Sequence, residues 1–197
     1  MKQAVYIIII LFLSACSVNI GNSESVIELE ELSYENGLAY INGKLYSGKV
    51  IDYYQNGVKK VESVFSNGVE NGELLLWDSL GNLLEKSLLK EGQLHGKFRR
   101  YYQNGQKMFE GEYVNGQLEG DAFQWYVDGE MKIEYHYEQG KEHGSYILYD
   151  REGVEMLNGQ MKLGVRNGEW KELNPSTYEV YINNYLNGDI IDSKVLE

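Results

Sequence analysis

The chain holds one cysteine and one proline in 197 residues. A single thiol cannot close an intrachain disulfide, so stability has to come from non-covalent packing. Positive charge is also short: 18 Lys and Arg stand against 30 Asp and Glu, a formal net charge of −12. A surface of that sign disfavours nucleic acid, whose phosphates require Lys and Arg, and disfavours docking on anionic lipid by charge alone. It favours solubility, with a mild preference for basic partners. The apolar run from Ala4 to Leu13 covers ten residues. As a helix it would rise only about 15 Å, roughly half the hydrocarbon core of a bilayer, so it cannot span one. What is abundant is Tyr, with 17 residues, and Gly, with 22. Tyr favours strands and Gly favours turns, so the composition leans towards all-β. The hydrophobic fraction, 43%, is enough for a core and too high for a disordered chain.

The N-terminus reads as an address. Lys2, the apolar run and the small residues after it have the order of a secretory signal peptide. Leu13-Ser14-Ala15-Cys16 resembles the lipobox of bacterial lipoproteins, and Cys16 is the only cysteine. The resemblance implies that residues 1–15 are cleaved and that Cys16 is acylated, becoming a membrane anchor. Two or more acyl chains hold a protein stably. An ordinary signal peptide with a buried Cys beside it is the alternative. Ser17 resembles the outer-membrane sorting pattern, which implies the outer membrane of the bacterial envelope in a Gram-negative host. Residues 16–33 are polar and acidic and are expected to form a short tether.

The remainder is periodic. Gly68, Gly92, Gly116, Gly140, Gly164 and Gly188 recur every 24 residues. So do Gly48, Gly72, Gly96, Gly120, Gly144 and Gly168, and again Gly57, Gly81, Gly105, Gly129 and Gly153. Three independent registers make the repeat the architecture. Each unit carries two turns, one exemplified by Asn67-Gly68 and the other by Asn56-Gly57, and Asn-Gly is a strong short-range hairpin signal. Strand, turn, strand, turn is therefore expected, with sequential strands antiparallel. The predicted fold is all-β: an elongated single antiparallel meander of 24-residue hairpin repeats. About twelve strands at roughly 4.8 Å each give a sheet on the order of 55 Å long. The array is expected over 34–173, with 174–197 as a degenerate capping unit, since Thr177 replaces the third-series Gly.

The second strand of each unit alternates. Val61, Glu85, Phe109, Ile133 and Leu157 form one column, Ser63, Ser87, Gly111, Tyr135 and Gly159 the next on the same face, with polar Glu62, Lys86, Glu110, Glu134 and Asn158 between them. In the first strand, Val50, Leu74, Phe98, Ala122, Tyr146 and Trp170 share one column, and Tyr53, Trp77, Tyr101, Trp125, Tyr149 and Leu173 another. These two columns have opposite parity, so either the strand carries a bulge or both faces are partly covered.

The stretch Gly92 to Gly105, GQLHGKFRRYYQNG, resembles the bacterial variant of the MORN repeat found in YwqK-type antitoxin proteins, and Gly37 to Gly57 looks like the start of such an array. The resemblance spans about Gly37 to Gly168. It implies an elongated antiparallel sheet that binds another protein, in an immunity or antitoxin role against a toxin. Leu80 and Glu152 depart from the pattern at turn positions that the repeat fills with Asn.

No catalytic set is apparent. His95 and His143 share a repeat position two units apart, which puts them about 19 Å apart, too far to share a metal. The carboxylates fall in polar columns. No Ser/His/Asp or Cys/His set and no P-loop lysine is present, so neither metal nor cofactor nor enzymatic activity is expected. Binding is the better prospect. The ladder Tyr53, Trp77, Tyr101, Trp125 and Tyr149 is expected to pack over the Ser/Gly column or to line an exposed protein-binding groove, since Tyr and Trp are favoured at interface hot spots. Tyr54, Tyr102 and Tyr126 point the other way and are expected to be the more exposed. The alternative function is a glycan-binding module, for peptidoglycan or another polysaccharide, using the rings as stacking platforms.

Overall fold

A computed structural model describes residues 26–196. Residues 1–15, Cys16 and the first part of the expected tether lie outside the described residues. Strands and the short turns that join them account for almost everything described. No helix among the described residues is long and apolar enough to cross a membrane.

The strands run in chain order through one long sheet. From Gly48–Tyr53 they pass to Lys59–Ser66, Val69–Trp77, Leu83–Lys90, Gly96–Tyr101, Lys107–Val114, Gly120–Trp125, Met131–Glu138, Lys141–Tyr149, Glu155–Lys162, Val165–Leu173, Val180–Leu186 and Asp189–Leu196. Each pairs antiparallel with the next, as the tight turns require. Two departures sit at the front. Val26–Glu28 adds a parallel strand beside Gly48–Tyr53, so the described end of the expected tether, 26–33, is laid onto the array and continues into a 3₁₀ turn at Leu29–Glu31. A separate three-stranded sheet, Ser33–Glu35, Leu38–Ile41 and Lys44–Leu45, follows. It is tied to the long sheet by Ala39 N–H donating to Gly68 O and Gly68 N–H donating to Tyr46 O. Here the molecule has its thickest core: Ala39, Tyr46, Val50 and Phe65 are buried together, with Ile27, Leu29, Leu32 and Ile41 against them.

The two turn types are distinct. At the first-series glycines both central residues have positive φ, as at Asn67 (49°) and Gly68 (79°), which is the two-residue turn whose twist matches a hairpin. At the third series, Gly57 N–H donates to Tyr54 O and Tyr54 N–H to Val58 O, a wider loop with Gly57 alone at positive φ. Consecutive units are stitched by a recurring backbone bond: Gly92 donates to Glu70 O, Gly116 to Leu94 O, Gly140 to Leu118 O, Gly164 to Glu142 O and Gly188 to Arg166 O.

The two first-strand columns keep their opposite parity and lie on opposite faces; the bulge of each unit lies in the second strand. Asp52 pairs with Val61 but Tyr53 with Lys59, and the same shift recurs at Leu76/Trp77, Arg100/Tyr101, Gln124/Trp125 and Leu148/Tyr149. In each case the second strand carries one extra residue, namely Lys60, Leu84, Met108, Lys132 or Met156. The last unit has no such shift, because Leu173 pairs with Val180 and Glu172 with Tyr181. Its turn is one residue longer instead: Asn174 N–H reaches Glu179 O, and Tyr178 takes the positive φ that Gly supplies elsewhere. One residue has moved from bulge to turn, and the 24-residue step is kept.

Candidate functional site

The two faces of the sheet carry different chemistry. On one, Val50, Leu74, Phe98, Tyr146 and Trp170 each lie opposite a small or slender partner: Ser63, Ser87, Gly111, Gly159 and Asn183. Large rings fill the space above small neighbours. A Cβ on Gly159 would come within 2.3 Å of the Trp170 ring, which is only 1% exposed. The rings continue as Tyr135–Tyr146, Tyr146–Trp170 and Trp170–Tyr185 contacts with centroids 5.6–6.3 Å apart, a spacing at which aromatic pairs attract.

The fourth unit inverts this rule: Ala122 is small and Tyr135 opposite it is large. Glu110 pairs with Phe123, which sets Gly111 beside Ala122, two small residues on adjacent strands. Both are buried. Phe109 and Leu118 fill the space over Gly111, their side-chain atoms 3.1 and 3.0 Å from where its Cβ would stand. Around them lies a groove of about 570 Å³ in the middle of the array. Phe98, Phe109, Leu94 and Leu118 form its apolar lining, together with Tyr113 and Tyr137. Its polar groups are few. Buried Glu85 accepts from Arg100 Nε at 3.1 Å, and Gln124 Nε2 donates to the Tyr135 hydroxyl at 2.8 Å. Burial holds the Tyr135, Tyr137 and Tyr113 hydroxyls above the usual tyrosine range, with Tyr137 pushed up to about 12. They are uncharged donors at neutral pH. An apolar concavity with a few fixed polar groups is the usual form of a binding site.

The opposite face is ionic, and it carries the aromatic ladder. Tyr53, Trp77, Tyr101, Trp125 and Tyr149 do not pack over the Ser/Gly column; plain alternation along the first strand puts them on the side of Glu62, Glu110 and Glu134. The Tyr149 hydroxyl donates to Glu134 at 2.9 Å. Lys59 Nζ stands 5.0 Å from the Trp77 ring centre and Lys107 Nζ 4.2 Å from that of Trp125. The same lysines pair with Glu62 and Glu110, which also take Lys49 and Arg99. Hydrogen bonds from Lys49 and Arg99 hold Glu62 and Glu110 below the usual carboxylate range. Tyr53 is the most open rung at 44% exposed; the other four are half-buried.

Tyr54, Tyr102 and Tyr126 are not the exposed set the sequence predicts. They are half-buried, and each hydroxyl is occupied. Tyr54 donates to Trp77 O, Tyr102 to Trp125 O and Tyr126 to Tyr149 O, all at 2.8 Å and all 23 residues along. They are ties between neighbouring units. Where this position is Asp, at Asp78 and Asp150, the carboxylate caps its own turn instead, accepting from Leu80 and Asn82 or from Glu152 and Val154.

Leu94, Phe98, Phe109, Leu118, Tyr135 and Tyr137 were not singled out as site residues in the sequence, because only the cross-strand register brings them together. His95 and His143 stay apart: His95 Nδ1 accepts a weak 3.5 Å bond from Asn115 N–H, and His143 lies 3.7 Å from Glu138. Among the described residues no three His, Cys, Asp or Glu side chains converge as a metal site would need. No protein-family model matches the chain, and no curated protein matches it.

Proposed function

We propose that this chain is a lipid-anchored repeat protein of the bacterial envelope that works by non-covalent recognition of a partner protein rather than by catalysis. The resemblance to MORN-type antitoxins makes a toxin that it neutralises the partner class to test first. The observation that carries the reading is the groove lined by Phe98, Phe109, Leu118 and Tyr135. It sets apolar ring surface next to Arg100, Gln124 and tyrosine hydroxyls, the mixture favoured in interface hot spots. The glycan reading is weaker, because lysine ammonium groups stand over Trp77 and Trp125, on the surface where a sugar would stack.

The test is affinity for a partner captured from envelope extract by the full chain. Phe109→Ala and Leu118→Ala are expected to weaken it roughly tenfold or more each, while Tyr53→Ala on the ionic face leaves it unchanged. A partner lost with Tyr53→Ala and retained by both groove variants would move the site to the ladder. Saturable binding to polysaccharide with none to protein would overturn the reading.

A further inference from the structure

The two edges of the long sheet differ. The N-terminal edge strand, Val26–Glu28, is three residues long and passes directly into a 3₁₀ turn. An edge that short offers little to pair with. The other edge strand, Asp189–Leu196, runs eight residues, all exposed. One side of its backbone bonds to Val180–Leu186, and among the described residues no strand pairs with the other side. Ile190, Ile191, Val195 and Leu196 are between 47 and 64% exposed.

We propose that this strand pairs antiparallel with the same strand of a second copy of the chain, about a two-fold axis through Ser193, so that one sheet runs through both molecules. The sequence of the strand is complementary to itself in that register. The axis sets Asp192 opposite Lys194 twice, Ile191 opposite Val195 twice, and Ser193 opposite Ser193. The faces agree: Asp192 and Lys194 stand opposite Asn184 and Ile182 on one face, Ser193 and Val195 opposite Asn183 and Tyr181 on the other. Other registers are disfavoured. A one-residue slip pairs residues that belong to opposite faces. A two-residue slip sets Asp192 against Asp192 in one direction and Lys194 against Lys194 in the other, and like charges directly opposite are destabilising. A lysine and a bulge, here Lys194 and the irregularity beside Ile191, are common guards against indiscriminate edge pairing. Under this two-fold the lysine gains a carboxylate and the guard becomes a register key. One strand pair is a small interface, so the dimer belongs to the weak, concentration-dependent class.

Sedimentation equilibrium of the full chain tests this. The wild type is expected to show a monomer–dimer equilibrium. Asp192→Lys and Lys194→Asp each create two like-charge pairs and are expected to weaken dimerisation roughly tenfold, while the double swap restores it. Circular dichroism checks that each variant folds. In a Cys16→Ser background, Ser193→Cys is expected to cross-link to itself under mild oxidation, and Ser145→Cys, exposed in mid-sheet, is not. A wild type that stays monomeric at every concentration, a double swap that fails to restore association, or cross-linking at 145 as readily as at 193 would each overturn the proposal.

Discussion

Leu163 shows what the repeat costs when its preferred residue is missing. Its position in the two-residue turn needs positive φ, and Asn fills it at 67, 115 and 187; Leu163 sits there at φ 54° and is 61% exposed. A left-handed backbone costs a branched L-residue about 1–2 kcal/mol, and Asn tolerates it better. Leu163→Asn is therefore expected to raise stability by about 1 kcal/mol in urea denaturation. Gly159→Ala should do the opposite. The new Cβ meets the Trp170 ring, which has no free space to move into, so a loss of roughly 1–3 kcal/mol is expected, with a change in tryptophan fluorescence. At Tyr102 a single atom is at stake. Tyr102→Phe keeps the ring but leaves Trp125 O without its donor, for an expected loss of about 1 kcal/mol. The sequence showed these tyrosines as a column, but not that each hydroxyl reaches a carbonyl in the next unit, because a backbone acceptor leaves no mark in the sequence.

At the scale of the strand, the bulge decides which face the second-strand residues before it join, and it brings Lys59 opposite Tyr53. Hairpins and their order were legible, since Asn-Gly and Asp-Gly turns mark them directly. The bulge left no mark in the sequence: its extra residue is Lys60, Leu84, Met108, Lys132 or Met156, with no common chemistry to announce it. The ladder's place on the ionic face follows from plain alternation in the first strand, which a bulge there would have overturned. The ion pairs on that face make stability depend on pH. Glu62 and Glu110 have lowered values in the folded state, so their contribution is present above the ordinary glutamate range and is lost as pH falls through the lowered values. Acid unfolding should steepen below that range, and Glu110→Gln should flatten the slope. Tyrosine gives the alkaline limb. Burial raises Tyr137 to about 12, and burial with the Glu134 hydrogen bond raises Tyr149 to about 12. Their contribution is complete below the unfolded tyrosine value of about 10 and is lost as pH rises towards 12. A tyrosinate absorbance titration should therefore show a late-titrating class, and unfolding should accompany it.

At the scale of the molecule, a 24-residue rule builds a scaffold in which each unit touches mainly its neighbours. Such arrays gain stability from nearest-neighbour interfaces, here the stitches between first-series glycines and the preceding unit. The rule was visible because three glycine series repeat it. The parallel edge strand and the small second sheet at the N-terminal end were not, because 26–47 lies before the regular period begins. Nor was the groove, which lies where the rule has its exception, the exchange of large and small residues between Ala122 and Tyr135. If recognition resides in that exception, a partner should meet Met108, which lines the groove, and should not meet Met156, which holds the same repeat position two units away. The most direct measurement places a photo-activated cross-linker at position 108 or at position 156 of the full chain in bacterial cells. A defined protein adduct from 108 alone is the expected result; equal adducts from both positions, or none from 108, would contradict it.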